Sequence, residues 1–245
     1  MYRPLPTGPI ALDCDVLVGT WPAQADIDLS PEKAAATLAE ADVTGALVCS
    51  ARGAWFDDVD GLAETLSLAA DRPAWSPVVT VNLRNALRAE ELLATASNAG
   101  VRTLRLFGAL QGVPIASPAY RHTITLAAAA GITILTDGDV REIWPAFAGQ
   151  GLRVVFLDVH AYHLADFILL AREEPGFVSS TRLLNAPDSI ERLVGEVGAQ
   201  HAAFGSRAPL HAIAPSTLRL RHARISAEDR ATIGGGWLTD TTVTP

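Results

Sequence analysis

Residues 13–19, Asp13-Cys14-Asp15-Val16-Leu17-Val18-Gly19 ("DCDVLVG"), read as a short buried strand that stops at a glycine. Alternate side chains of a strand share a face, so Asp13, Asp15 and Leu17 are expected to point the same way. Two carboxylates and a leucine on one face suit neither a plain core strand nor a plain surface strand. What the two acids do there decides the functional reading.

Working outward, strand-like and helix-like segments alternate along the chain. Strands are expected at about 10–18, 43–50, 74–82, 101–107, 132–137, 152–160, 176–182 and 201–206. Helical sequence follows each one. Ser30-Pro31 and Ser117-Pro118 are N-cap and first-turn pairs. Gly100 and Gly131 stand where helices should end. "DSIE" (188–191) predicts a capping box between Asp188 and Glu191, and Ser226 with Asp229 predicts another start. A helix is expected over 139–149. Eight such units in a chain of 245 residues match a (β/α)8 TIM barrel forming one α/β domain, 1–245. An open doubly wound sheet is the alternative. It usually has fewer strands, and no Gly-x-Gly-x-x-Gly follows the first one here.

Hydrophobic residues make up 49% of the chain, enough for a large core, and no apolar run is long enough to span a membrane. The opening "MYRPLPTGPI" lacks the apolar segment of a signal peptide, so a cytoplasmic protein is expected. Cys14 and Cys49 lie in apolar strands and are expected to be buried, reduced thiols. A net charge of −8 argues against a nucleic-acid partner. The expected partner is a small molecule.

In a TIM barrel the chemistry sits at the C-terminal ends of the strands. Asp15, Arg52, Arg105, Asp137, Asp158, His160, His163, Arg182 and Arg207 all fall there. Trp21, Trp55 and Trp75 lie near strand ends, where they line a pocket, meet a partner or pack in the core.

Five stretches carry a resemblance: "LDCDVLVG" (12–19), "ASPAYRHTITLAAAAGITILTD" (116–137), "RVVFLDVH" (153–160), "HAAFGSRAP" (201–209) and "ISAEDRATIGGG" (225–236). In this order they resemble the amidohydrolase-related family of metal-dependent barrels, which includes decarboxylases and lactone or amide hydrolases. The resemblance implies a TIM barrel, a homodimer, a divalent metal at the mouth and hydrolytic or decarboxylating chemistry. The departures fall on the family's ligand positions. Its two first-strand histidines are Asp15 and Leu17 here, and leucine has no lone pair to offer. The strand 5 histidine is Asp137, and the strand 6 histidine falls on Val159 or His160. The last-strand aspartate is Arg207, which keeps its charge and cannot act as a base.

Arg207 is therefore expected to replace the metal's charge and to pair with Asp15, Asp137 or both. No cofactor is expected on this reading. The alternative keeps a divalent cation near Asp15, Asp137, Asp158 and His160. An enzyme of this kind would be a hydrolase or decarboxylase acting on a small anionic substrate. His160, His163 and Asp137 are its candidate catalytic residues; Arg52, Arg105, Arg182, Arg207, Asp15 and Trp21 are candidates for binding substrate. A non-catalytic barrel that binds a ligand or partner is the competing expectation.

Overall fold

Short apolar runs rich in Val, Ile and Leu suit strands buried on both faces, and eight of them pair in parallel. They are β1 (Asp13–Val18), β2 (Ala46–Ser50), β3 (Trp75–Thr80), β4 (Thr103–Leu106), β5 (Thr133–Thr136), β6 (Val154–Phe156), β7 (Phe177–Ser180) and β8 (Ala202–Ala203). Their spatial order is their sequence order, which makes a TIM barrel and not a doubly wound sheet. This computed structural model describes residues 8–238.

Helices cover the outside. β1 leads to α1 (Pro31–Glu40), β2 to α2 (Ala51–Trp55) and α3 (Asp58–Asp71), and β3 to α4 (Ala89–Asn98). β4 leads to α5 (Gly108–Gln111) and α6 (Pro118–Ala129), β5 to α7 (Val140–Ile143) and β6 to α8 (Leu164–Glu173). β7 leads to α9 (Ser189–Val197), and β8 to α10 (Ala214–His222) and α11 (Ala227–Ile233). Ser30, Ser117 and Ser226 accept the expected N-cap hydrogen bonds. The Asp188 box does not form: Asp188 adopts φ +57°, and Glu191 instead accepts the backbone N–H of Arg224 at 2.8 Å. A tertiary donor has displaced the local one. The helix expected over 139–149 breaks after Ile143 into a 3-10 turn, Trp144–Ala146, because Pro145 has no N–H to continue it.

Strand alternation sorts the core into two layers. Val16, Val48, Val79, Leu104, Ile134 and Phe156 face the helices. Leu17, Cys49 and Val78, level with one another, fill the barrel, as do Leu135, Val155 and Val178. Both cysteines are free and buried there, and burial pushes the Cys49 thiol up to about 11. One expectation fails inside β1. A register shift between Asp13 and Val16 sets Asp13 level with Ala46 of the outer layer, and Cys14 joins Leu17 inside. The three-residue alternation of Asp13, Asp15 and Leu17 is thus broken by a bulge.

The barrel closes between β8 and β1 without a full ladder. Cys14 N–H donates to the Phe204 carbonyl and Leu17 N–H to that of Ala208, each at 2.9 Å. Gly205 lies in this seam because a Cβ there would come within 2.5 Å of Ser180 Oγ. At the N-terminal ends of the strands, buried Trp237 with Leu12 and Leu238 seals the floor. No helix among the described residues is long and apolar enough to cross a membrane.

Candidate functional site

The floor is apolar; the opposite end carries the charge. Arg105 points inward from β4, level with Thr80 and Leu135, and its side chain is 1% exposed. Its Nη1 donates to Asp15 Oδ1 at 2.6 Å, and its Nη2 to both oxygens of Asp137 at 3.0 Å. The guanidinium lies 4.6 Å from the ring centre of Phe107. Trp21 rests on Phe107 and Trp55, with ring centres 6.1 and 5.4 Å away, so aromatic rings roof the buried cation.

Arg207 enters from the chain just beyond β8. Its Nε donates to Asp15 Oδ2 at 3.1 Å, its Nη2 donates to Asp137 Oδ1, and Asp158 Oδ1 lies 3.5 Å away. It pairs with both of the acids expected for it. Its backbone holds φ +62°, a left-handed conformation that costs a residue with a Cβ on the order of 1–3 kcal/mol. The convergent ion pairs keep it there. Arg182, from the turn after β7, donates through Nη2 to Asp158 Oδ1. Asp158 Oδ2 accepts the Gly138 N–H at 3.3 Å, because Leu157 and Asp158 turn toward β5 and end β6 earlier than expected.

Every carboxylate oxygen of Asp15, Asp137 and Asp158 thus accepts a hydrogen bond from an arginine or an amide. Burial alone would raise the Asp15 carboxyl, but Arg105, Arg207 and Arg182 together hold it well below the usual carboxylate range. Burial also works against charge on Arg105, and Asp137 with Asp15 more than restores it. Asp13 sits beside this lattice without a cation among the described residues. Its Oδ1 accepts the N–H groups of Asp15 at 3.0 Å and Ser206 at 3.1 Å, and Ser206 Oγ donates to its Oδ2. Burial pushes this carboxyl up to about 7, against the Ser206 hydrogen bond.

Other expected site residues lie elsewhere. His160 stacks on Tyr162 at 4.8 Å and meets His163 edge-on at 5.8 Å, because a 3-10 turn at Ala161–His163 folds the three rings together. His163 is buried, with Nδ1 3.6 Å from Asp139 Oδ1. The strand 6 position resolves to neither candidate: Val159 belongs to the outer core and His160 to this aromatic group. Among the described residues no set of three His, Cys, Asp or Glu side chains is arranged to hold a metal ion, so His160 does not join Asp15, Asp137 and Asp158 in one. Arg52 pairs with Asp60 at 3.0 Å on the exposed rim of a separate cavity of about 400 Å³.

One residue escaped the sequence reading. His211 follows Arg207 by four residues and donates its backbone N–H to the Arg207 carbonyl at 3.1 Å. His211 is exposed, but partial desolvation, then Arg182 and Arg207, push its imidazole below the ordinary histidine range, with Asp15 and Asp158 opposing. Its spacing after a strand-end arginine was the only available signal.

Neither a family model nor a curated protein matches the chain by sequence. Solved structures do match by fold. A 5-carboxyvanillate decarboxylase from Sphingomonas paucimobilis superposes with a TM-score of 0.71 at 13% identity, over 93% of this chain and 97% of that one. A 2,6-dihydroxybenzoate decarboxylase from Rhizobium gives 0.74 at 12% identity, over 94% and 97%. A dihydroxybenzoic acid decarboxylase from Polaromonas sp. JS666, with bound manganese and the inhibitor 2-nitroresorcinol, gives 0.70 at 13%, over 95% and 96%. At such identities the likeness establishes the barrel fold.

Proposed function

We propose that this chain is an amidohydrolase-like barrel that binds a small anionic ligand at its mouth without a divalent metal. Arg207, with Arg105, supplies the positive charge that Asp15 and Asp137 need. One observation carries the reading: all six oxygens of Asp15, Asp137 and Asp158 are already committed to guanidinium or amide donors. This donor set does not fit a divalent cation. A metal would have to displace buried guanidinium groups and then sit beside them, and charges left unpaired in a buried site are costly.

The class of ligand is supported by the fold neighbours, whose named substrates are small aromatic carboxylic acids, and by the three arginines at this mouth. Arg182, Arg207 and Trp21 build the ligand-facing wall; the buried Asp15 and Arg105 lie beneath it with Asp137, and the two acids hold Arg105 and Arg207 in place. Arg52, paired with Asp60 at a separate cavity, is assigned no part in this reading. A second reading, hydrolysis or decarboxylation without a metal, is favoured by the imidazole of His211 at the same mouth, held below its ordinary titration range. It would replace His160 and His163 in the proton-handling role.

The test combines elemental analysis of purified protein with titration of 2,6-dihydroxybenzoate in excess chelator, followed by thermal unfolding and by release of carbon dioxide. Stabilisation by the acid in chelator is expected. One tightly held divalent ion per chain, with ligand binding that vanishes in chelator, would overturn the metal-free reading. Carbon dioxide release in chelator would select the second reading over binding alone.

A further inference from the structure

Each of the six carboxylate oxygens at the mouth accepts at least one hydrogen bond, while part of each arginine stays unengaged. Arg182 hydrogen-bonds Asp158 and the Leu157 carbonyl through Nη2, with its Nε 4.0 Å from Asp15 Oδ2, and Arg207 bonds through Nε and Nη2. Among the described residues the hydrogen bonds of both guanidinium groups run through Nη2 and Nε and leave each Nη1 unengaged, while Arg182 Nε is buried over Asp15, too far for a hydrogen bond. Each arginine brings five N–H groups and no acceptor, so the Nη1 groups that the lattice leaves unengaged are open to the oxygens of a ligand. The exposed His211, tied by its backbone to the Arg207 carbonyl, lies within electrostatic reach of Arg182, Arg207, Asp15 and Asp158.

The segments bearing these three side chains are tied together. The His211 N–H is bonded to the Arg207 carbonyl. The chain then runs into α10, whose Arg219 donates through Nη1 to the carbonyls of Thr181 at 3.0 Å and Arg182 at 2.9 Å. Arg182 N–H is fixed in turn on Ser180 Oγ at 3.3 Å. Arg182, Arg207 and His211 therefore form one braced surface, and the first two are 12% and 15% exposed.

We propose that Arg182, Arg207 and His211 form an oxyanion subsite that takes the carboxylate of the ligand. This rests on the reading of the mouth as an anion-binding site and assigns the anionic group its place. Two guanidinium groups that converge on Asp158 Oδ1 put two sets of N–H donors side by side, which suits the two oxygens of a carboxylate. The ring of an aromatic acid then lies toward the roof formed by Phe107 and Trp21. Arg105 takes no direct part: it is sealed beneath, and its charge is spent on Asp15 and Asp137.

The test uses the full chain and three probes: benzoate, its neutral isostere benzamide, and inorganic phosphate, each titrated by calorimetry. Benzoate is expected to bind at least about tenfold more tightly than benzamide or phosphate. Arg182→Gln and His211→Gln are each expected to weaken benzoate about tenfold, the loss of one charge-assisted or neutral hydrogen bond. His211 is exposed, so its variant tests the subsite even where Arg182→Gln unfolds. Benzoate binding unchanged in both variants would overturn the subsite and leave the proposed function standing. Equal binding of benzamide, or no binding of benzoate by the wild type, would overturn the anion reading itself. Tighter binding of phosphate than benzoate would overturn the assignment to a carboxylate.

Discussion

Asp13 and Asp15 stand two residues apart on one strand, are equally buried, and meet opposite fates. Asp15 looks into the mouth, where three guanidinium groups outweigh its desolvation and keep it ionised. Asp13 lies in the β8–β1 seam, where it finds a hydroxyl and two amides but no cation, and desolvation wins. The difference comes from the bulge in β1, which turns one acid toward the barrel and the other toward the seam. Burial alone therefore says little about a carboxylate's state; the decisive quantity is whether a formal charge answers it.

The largest way to break this contrast is to remove the mouth's central cation. Arg105→Met leaves Asp15 and Asp137 short of a partner, and a loss of about 3–5 kcal/mol in urea unfolding is expected for a broken buried pair. A loss below about 1 kcal/mol would mean that Arg207 and Arg182 alone suffice.

The seam is probed by pH. The folded carboxyl of Asp13 is raised from 3.8 to about 7, so the native state keeps a proton that the unfolded chain has released. Its contribution is complete below the unfolded value and is lost as pH rises through about 7, at up to about 1.4 kcal/mol per pH unit for one proton. Asp15 works in reverse: its contribution is present above the unfolded value and is lost as pH falls below it. Asp13→Asn is expected to remove the decline between about pH 4 and 7. Unfolding curves of variant and wild type that run parallel across that range would contradict the assignment.

A smaller effect separates the seam's donors from its desolvation. Ser206→Ala removes the hydroxyl that lowers Asp13, so the carboxyl should titrate still higher by carbon NMR. Stability should fall by about 1–3 kcal/mol, the cost of a buried group left short of a partner. The smallest effect belongs to the rim. Arg52→Ala breaks only the exposed pair with Asp60, and a change within about 0.5 kcal/mol is expected, with ligand binding intact. A larger effect would extend the functional mouth outward to the Arg52 cavity.

Much of the fold was legible because its signals are local. Serine caps, glycine stops and apolar runs mark units that a TIM barrel repeats eight times, and Ser226 with Asp229 formed its capping box as read. Where a distant partner intervened the local reading failed, as at Glu191, which Arg224 captures across 33 residues. The site was legible in part for the same reason. Asp15, Arg105, Asp137, Arg182 and Arg207 could be placed at strand ends by counting. His160 and His163 could not be assigned a direction, because they lie beyond the end of β6, where strand alternation no longer applies.

The sequence by itself determined the order of strands and helices and the charges available at one end of the barrel. Those follow from periodicity and from residue type, which act over a few residues. Only the tertiary structure decided which charge meets which. Arg105 finds Asp15 across 90 residues and Arg207 finds Asp15 across 192, over a barrel whose closing seam has almost no ladder of its own. Ion pairing depends on distances between strand ends in space, and a one-residue bulge was enough to send two neighbouring aspartates to different partners.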